Sequence, residues 1–300
     1  MLHAFDLHRP QTLGEAGALL AGRPDAALFA GGTELLLLMK AGLVRPAHVI
    51  DVKRIPDLGG LVATDGTLAI GATVTHRALE RSALVRARWP LVAGVANHVA
   101  NVRVRNVGTI GGNLAFADPH SDLATLFLLF DAAVRLVTAT GARELPLAEF
   151  VRGPYETARR PDEILAGVRL RAWLPRTVGV YVKFGLHERP TLGLALAVTL
   201  DEADRVVTAR LAVGCVSSRP HRVPEAERAL VGHRLTTLGG ALDDCGALAA
   251  AAVDPVNDLH GSGDYKRELT RVFTRRALGV VLARAEGQPL DVRYPHAVVV

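Results

Sequence analysis

Apolar positions recur with two different periods over the first sixty residues, and their alternation predicts a βαβ unit. Leu13, Ala16, Leu19 and Leu20 fall at helical spacing within 12–21, and 26–30 is a short apolar run. Helical spacing returns over 34–41, and 48–52 is apolar again. Pro24 and Asp25 break the first helix, Thr33 is a candidate cap for the second, and Gly42 lies where that helix should stop. Strands separated by a helix in this way are expected to run parallel. From 59 to 72 the pattern is that of a hairpin, with Asp65-Gly66 supplying the positive φ of a tight turn. Residues 75–99 read as helical with a break at Trp89-Pro90. The stretch 102–122, VRVRNVGTIGGNLAFADPHSD, then runs on rich in Gly, Asn and Asp. A connection of that length predicts a functional loop. A helix over 122–130 and strands near 133–138 and 163–170 close this part of the chain.

The grammar changes beyond 174–179, where Pro175 and Gly179 mark a boundary. Residues 180–185, 194–200 and 206–216 predict a three-stranded antiparallel meander, followed by helices over 222–231, 237–252 and 264–286. The expected fold class is α+β. Its first domain covers 1–176, in lobes of about 1–57 and 58–176; a second, smaller domain covers 177–288, and 289–300 is a tail.

Composition narrows the function. A chain of 300 residues with 49% hydrophobic and 22% charged residues is globular, which excludes disorder and coiled coil. The longest nearly uninterrupted apolar stretch, 124–134, already contains Asp131, whereas about 20 apolar residues are needed to cross a bilayer. The start, MLHAFDLHRP, lacks the pattern of a signal peptide, so the expected location is the cytoplasm, with any membrane association arising through a complex. Cys215 and Cys245 are too few for an iron–sulfur cluster and read as buried small hydrophobes. The net charge of +5 is spread thinly, all but four of the 35 basic residues being arginine, and leaves no nucleic-acid footprint.

Two glycine pairs carry the chemistry. Ala30-Gly31-Gly32-Thr33-Glu34 follows a predicted strand and opens a predicted helix. Successive glycines let a backbone turn with positive φ and gather several N–H groups at one point, a concavity that attracts an anion. Thr109-Ile110-Gly111-Gly112-Asn113 repeats the arrangement, with Arg103 and Arg105 just upstream. A diphosphate has two charged phosphoryl groups, and two converging turns would each satisfy one. Two unrelated turns and solvated arginines fit the same letters. The dinucleotide fingerprint G-x-G-x-x-G and the P-loop are absent, as are the nucleophile elbow and the H-E-x-x-H helix.

AGGTELLLLMK and VRNVGTIGGNLAFADPHSDL resemble the FAD-binding medium subunits of molybdenum hydroxylases, the xanthine dehydrogenase and aerobic carbon monoxide dehydrogenase group. The resemblance continues in order through FDLHRP, PAHVIDVKRIPDL, IGATVTHRALERSALV, EFVRGPYETARRPDEIL, YVKFG and GSGDYKRELTRVFTRRAL. It implies a two-lobed FAD-binding domain of the PCMH or vanillyl-alcohol-oxidase type, followed by a small C-terminal domain. It also implies that Leu28, Phe29, Ala30, Gly31, Gly32, Thr33, Glu34 and Leu35, together with Thr109, Ile110, Gly111, Gly112 and Asn113, hold the FAD diphosphate. Asp122 would contact the adenosine ribose, a helix cap being its structural alternative. Leu165 would lie near the isoalloxazine ring, and otherwise reads as a core strand residue. Lys183 would stand beside the flavin, where a cation favours added negative charge, unless it sits on an exposed sheet face.

Some positions depart from the family pattern. Glu34 stands where many relatives have Asp, Leu7 replaces a common Tyr, and LHERPTLGLAL follows YVKFG in place of the usual charged pattern. The cysteine-rich insertion that carries a 4Fe–4S cluster in some relatives is missing. The implied role is an FAD electron relay with no catalytic or metal-ligating residue of its own. Its implied partners are a molybdenum-cofactor large subunit and a 2Fe–2S small subunit in a dimer of heterotrimers, with quinone, NAD or oxygen as acceptor. The competing roles are an FAD subunit of a purine or N-heterocycle dehydrogenase, a stand-alone flavin reductase such as that acting on UDP-N-acetylenolpyruvoylglucosamine, and a cofactor-free scaffold.

Overall fold

The computed structural model describes residues 2–185, 189–288 and 293–300. Among them the chain forms four sheets. β1 (Asp6–His8), β2 (Ala26–Phe29) and β3 (His48–Asp51) make a parallel sheet in the order β1-β3-β2, so the βαβ reading holds. The hairpin β4 (Leu61–Thr64) and β5 (Thr67–Gly71) turns through Asp65 and Gly66, at φ 47° and 72°. It joins β6 (Ala133–Val137) and β7 (Ala142–Pro146) through a central strand. Between β7 and that strand lies a ribbon of β8 (Val151–Gly153) and β9 (Glu156–Thr157). The central strand is β10 (Ile164–Arg171), in the order β4-β5-β10-β6-β7.

The segment 102–122 is not the long loop its composition predicts. Most of it folds into two helices, Val102–Val107 and Ile110–Phe116. Asn101 accepts from the N–H groups of Arg103 and Val104, and Thr109 accepts from Gly112 N–H, so the polar residues that suggest a loop serve as helix caps.

The C-terminal meander appears as β11 (Thr177–Phe184), β12 (Leu192–Leu200) and β13 (Val206–Gly214). Two further strands, β14 (His221–Arg222) and β15 (Ala297–Val299), widen it to five in the order β14-β13-β12-β11-β15 rather than the expected three. β15 comes from the expected tail. Its register pairs Val182 with Val299 and Lys183 with Val298, and Val300 exchanges two backbone hydrogen bonds with Tyr181.

β12 explains how the two halves join. Every residue from Leu192 to Leu200 is buried, and side chains alternate between the two faces of a strand. Leu192, Leu194, Leu196, Val198 and Leu200 pack into a core with the helices Pro224–Leu230, Leu242–Ala252 and Gly263–Ala285. Ala195 and Ala197 belong instead to the core of the N-terminal half, with Tyr181 and Ala212. Small side chains on that face let the helix Asp122–Phe127 lie close, and a Cβ on Gly214 would fall 1.9 Å from Thr125 Oγ1. Both cysteines are buried thiols, as expected. No described helix is long and apolar enough to cross a membrane.

Candidate functional site

The first glycine corner connects β2 to the helix Leu35–Lys40. Only Gly32 takes a positive φ, at 70°, where a Cβ would also strike the Phe29 ring. Gly31 is small for another reason. A Cβ there would lie 2.2 Å from Val107 O and 2.8 Å from Gly108 Cα, so the corner rests directly on the backbone just before the second glycine pair. The N–H groups of Gly31, Gly32, Thr33 and Glu34 donate to no acceptor among the described residues. These four residues are half-buried, and four free donors in succession at a cleft wall suit an anion. Thr33 does not cap the helix as expected. The cap position belongs to Glu34, without a side-chain bond, which leaves the Thr33 hydroxyl to the cleft.

The second corner works differently from the expectation. Gly111 and Gly112 lie inside a helix, and neither has positive φ. The local N–H groups are already used: Ile110 donates to Val74 O, Gly111 to Ala72 O, Gly112 to Thr109 Oγ1 and Asn113 to Thr109 O. Gly111 is required because a Cβ would fall 2.8 Å from both Cα and O of Ala72, and Gly112 because a Cβ would crowd the capping hydroxyl of Thr109. The second pair therefore builds a close-packed wall rather than a second ring of donors. Asn113 Oδ1 accepts from Ser121 Oγ at 2.8 Å, which leaves the amide N–H groups available to the cleft.

A cleft of about 500 Å³ lies between the corners. Of the expected residues it brings together Leu28, Ala30, Gly31, Gly32, Thr33, Glu34, Leu35, Thr109, Gly111, Gly112, Asn113, Asp122, Leu165 and Lys183. Phe29 and Ile110 are not on its wall. The Phe29 ring packs beside Gly32 under Lys53, and Ile110 is fully buried in the core. Leu165 is a core strand residue, 5% exposed, and also lines the cleft wall.

Asp122 is not the helix cap. Ser121 holds that position, and its hydroxyl accepts from Ala124 N–H. The Asp122 carboxylate instead accepts from Tyr181 O–H at 3.0 Å and Lys183 Nζ at 2.7 Å, with Lys183 also donating to His98 O. Tyr181 reaches it by passing over Gly193, where a Cβ would meet the phenol oxygen at 2.5 Å. Burial, then the neighbouring Asp122, pushes the Tyr181 phenol well above its ordinary value, so it stays a donor. The ion pair puts Asp122 and Lys183 at one point of the cleft. Resemblance assigns the two residues to separate parts of the cofactor, a ribose and the flavin ring, whereas their side chains touch each other.

Several wall residues were not foreseen. Arg189 bridges the corners' carboxylates, 3.0 Å from Asp118 and 3.7 Å from Glu34. His120 Nδ1 lies 2.7 Å from Pro190 O, and its ring meets that of His260 at a tilt, 4.6 Å between centroids. His76 lines the same wall, buried at 3% exposure, with its pKa pushed down to about 4 by burial and then by Arg105. His120 and Asp118 stand within the block AFADPHSD, so their proximity to the motif was the available signal. Part of the departure at LHERPTLGLAL, residues 186–188, lies outside the described residues.

Comparison with known proteins identifies the family. Residues 3–173 match the model described as FAD binding domain in molybdopterin dehydrogenase, and 187–281 match the CO dehydrogenase flavoprotein C-terminal domain. The chain belongs to this family. Its cofactor is FAD, and it is an oxidoreductase subunit. The medium chain of carbon monoxide dehydrogenase from Afipia carboxidovorans is 34% identical, over 94% of this chain and 98% of its own length. Subunit alpha of the 6-hydroxypseudooxynicotine dehydrogenase complex from Paenarthrobacter nicotinovorans is 33% identical, over 94% and 96%. In the reconstituted CO dehydrogenase from Oligotropha carboxidovorans, a chain 32% identical superposes with a TM-score of 0.90, covering 95% of this chain and 99% of that one. Within the family frame, the N-terminal match supplies both corners, Asp122 and Leu165. Lys183 stands in the short interval between the two matched regions.

Proposed function

We propose that this chain is the FAD-carrying electron-transfer subunit of a molybdenum hydroxylase of the aerobic carbon monoxide dehydrogenase type. It takes electrons from the 2Fe–2S clusters of a small partner subunit and passes them to an external acceptor, quinone, NAD or oxygen. A large subunit with the molybdenum cofactor oxidises the substrate, and the assembly is a dimer of heterotrimers in the cytoplasm.

The observation that carries the reading is the contact of Gly31 with Val107 and Gly108, which makes one cleft of two distant motifs. That cleft fits the cofactor. Its volume lies in the range of cofactor pockets, its first corner offers four unpaired N–H groups, and Leu165 with Ile164 gives it an apolar wall. FAD supplies the ability to accept and release electrons one or two at a time. The chain's residues bind and orient it. The N–H groups of Gly31 to Glu34 and the Asn113 amide would take the diphosphate, Leu165 would exclude water, and Lys183, held by Asp122, would supply a fixed positive charge toward the flavin.

The test is to express the full chain alone and record its visible spectrum and turnover. A flavin spectrum without substrate turnover supports the relay. Turnover without partners would favour a stand-alone reductase, and failure to take up FAD would favour a scaffold. The nearly equal identity to a nicotine-pathway relative keeps an N-heterocycle dehydrogenase as the second reading. Assays of the assembled complex with carbon monoxide, a purine and an N-heterocycle separate the two.

A further inference from the structure

The block IGATVTHRALERSALV, whose Ala72 and Val74 carbonyls hold the second corner, also delivers a buried histidine to the cleft. Thr75 pairs with Thr109 in an isolated antiparallel bridge, and His76 N–H donates to Gly108 O at 3.0 Å. These bonds lay the His76 ring over Gly108, where a Cβ would meet Cδ2 at 3.2 Å and Nε2 at 3.6 Å. Gly108 and Val107 are also the residues on which Gly31 rests, so the ring stands where the two corners touch.

We propose that His76 is a cofactor-binding residue of this cleft, its imidazole donating from Nε2–H to the diphosphate of FAD. The proposal rests on the reading that the cleft holds FAD. His76 Nδ1 is buried and has no hydrogen-bond partner among the described residues. A proton there would be an orphaned buried donor, so the proton belongs on Nε2, the nitrogen left to serve the cleft that His76 lines. The described carboxylates near it are taken: Glu80, on the helix His76–Arg81, by Arg77 and Arg105, and the cleft acids Glu34 and Asp118 by Arg189 and Asp122 by Lys183. Burial and Arg105 keep the ring neutral through the physiological range. It therefore offers a single donor to the cleft, beside the Gly108 backbone on which the first corner rests.

The test uses the full chain with H76L, H76N and H76Q, titrated with FAD and, in competition, with ADP. A Gln amide places a donor near the Nε2 position, whereas Asn reaches only as far as Nδ1. H76L and H76N should weaken FAD binding roughly tenfold to a hundredfold, as expected for one hydrogen bond to a charged group. ADP should weaken in parallel, H76Q should restore most of the affinity, and H76L should not lower the melting temperature of the cofactor-free chain, since it removes an unsatisfied nitrogen. Wild-type affinity in H76L would overturn the proposal. So would weakened FAD binding with unchanged ADP binding, or losses in all three variants that follow a lowered melting temperature. If the wild-type chain itself takes up no FAD, the underlying functional reading falls too, which sets that failure apart from the others.

Discussion

Gly31→Ala tests the contact on which the site depends. The new Cβ would sit 2.2 Å from Val107 O and 2.8 Å from Gly108 Cα. Both are backbone atoms, so no side-chain rotation relieves the clash. Ordinary contact begins at 3.4 Å, so the corners must part by about 1 Å. N–H···O bonds near 2.9 Å do not survive stretching of that size. If two of the four N–H groups from Gly31 to Glu34 lose the diphosphate, at about 1.5–3 kcal/mol each for bonds to a charged group, binding weakens by about 3–6 kcal/mol. That is roughly a hundredfold to ten-thousandfold in Kd. Overpacking costs the cofactor-free fold about 1–3 kcal/mol. Quenching of flavin fluorescence on titration gives the first quantity and urea unfolding the second, with Gly141→Ala as a control because nothing lies within 4 Å of its added Cβ. A Gly31→Ala chain that binds FAD within threefold of wild type would refute the idea that the corners must touch to hold the cofactor.

Three other outcomes follow from the geometry. Lys183→Met leaves the Asp122 carboxylate, 5% exposed, with Tyr181 alone and should cost about 3–5 kcal/mol in urea unfolding, part of which Asp122→Asn in the same chain should recover. Glu163 accepts from Arg143 at 2.6 and 2.9 Å and from Arg160 N–H, and the Arg143 bond holds its carboxyl below the ordinary 4.5. The unfolded chain therefore takes up that proton first as pH falls; the stabilisation is whole above about pH 4.5 and disappears as pH drops through the lowered folded value, so Glu163→Gln should flatten the acid limb of a stability–pH curve. Deleting 297–300 strips the outer edge of β11 and both backbone partners of Tyr181, and should weaken FAD binding through the misplaced Lys183 while leaving the Gly31 corner intact.

The parts of the fold that sequence reasoning anticipated are those where one local signal suffices. Asp65-Gly66 demands a tight turn, and Trp89-Pro90 ends one helix and opens the next, with Pro90 as the first residue of Pro90–Asn97. The stretch 102–122 misled because Gly111 and Gly112, which lie within the helix Ile110–Phe116, lower helix propensity by about 1 kcal/mol each. Its caps, Asn101 and Thr109, were present but resembled ligand residues. Gly111 occupies a helix because Ala72 leaves no room for a side chain, a long-range contact with no mark in the neighbouring letters. β15 and β14 escaped for a related reason: each is short and takes its strand form from a partner far along the chain.

The site was legible as motifs and opaque as an arrangement. The charge of a diphosphate suggested that both glycine pairs serve one cleft without deciding it against two unrelated turns, and it did not foretell their division of labour. Four free donors stand at the first corner and none of the four at the second, because Val74, Ala72 and Thr109 already accept those protons. The meeting of Asp122 with Lys183 depends on the C-terminal sheet presenting Gly193, Ala195, Ala197 and Gly214 to the helix Asp122–Phe127. That alternation of small with large residues along 192–200 was visible, since a strand buried on both faces shows its partners by the sizes on each side. A larger residue at Gly193 would push the Tyr181 hydroxyl away, and one at Gly214 would lift Thr125 and the helix that positions Asp122. The electrostatics of a cleft in the N-terminal half are thus set by how closely the C-terminal sheet approaches it.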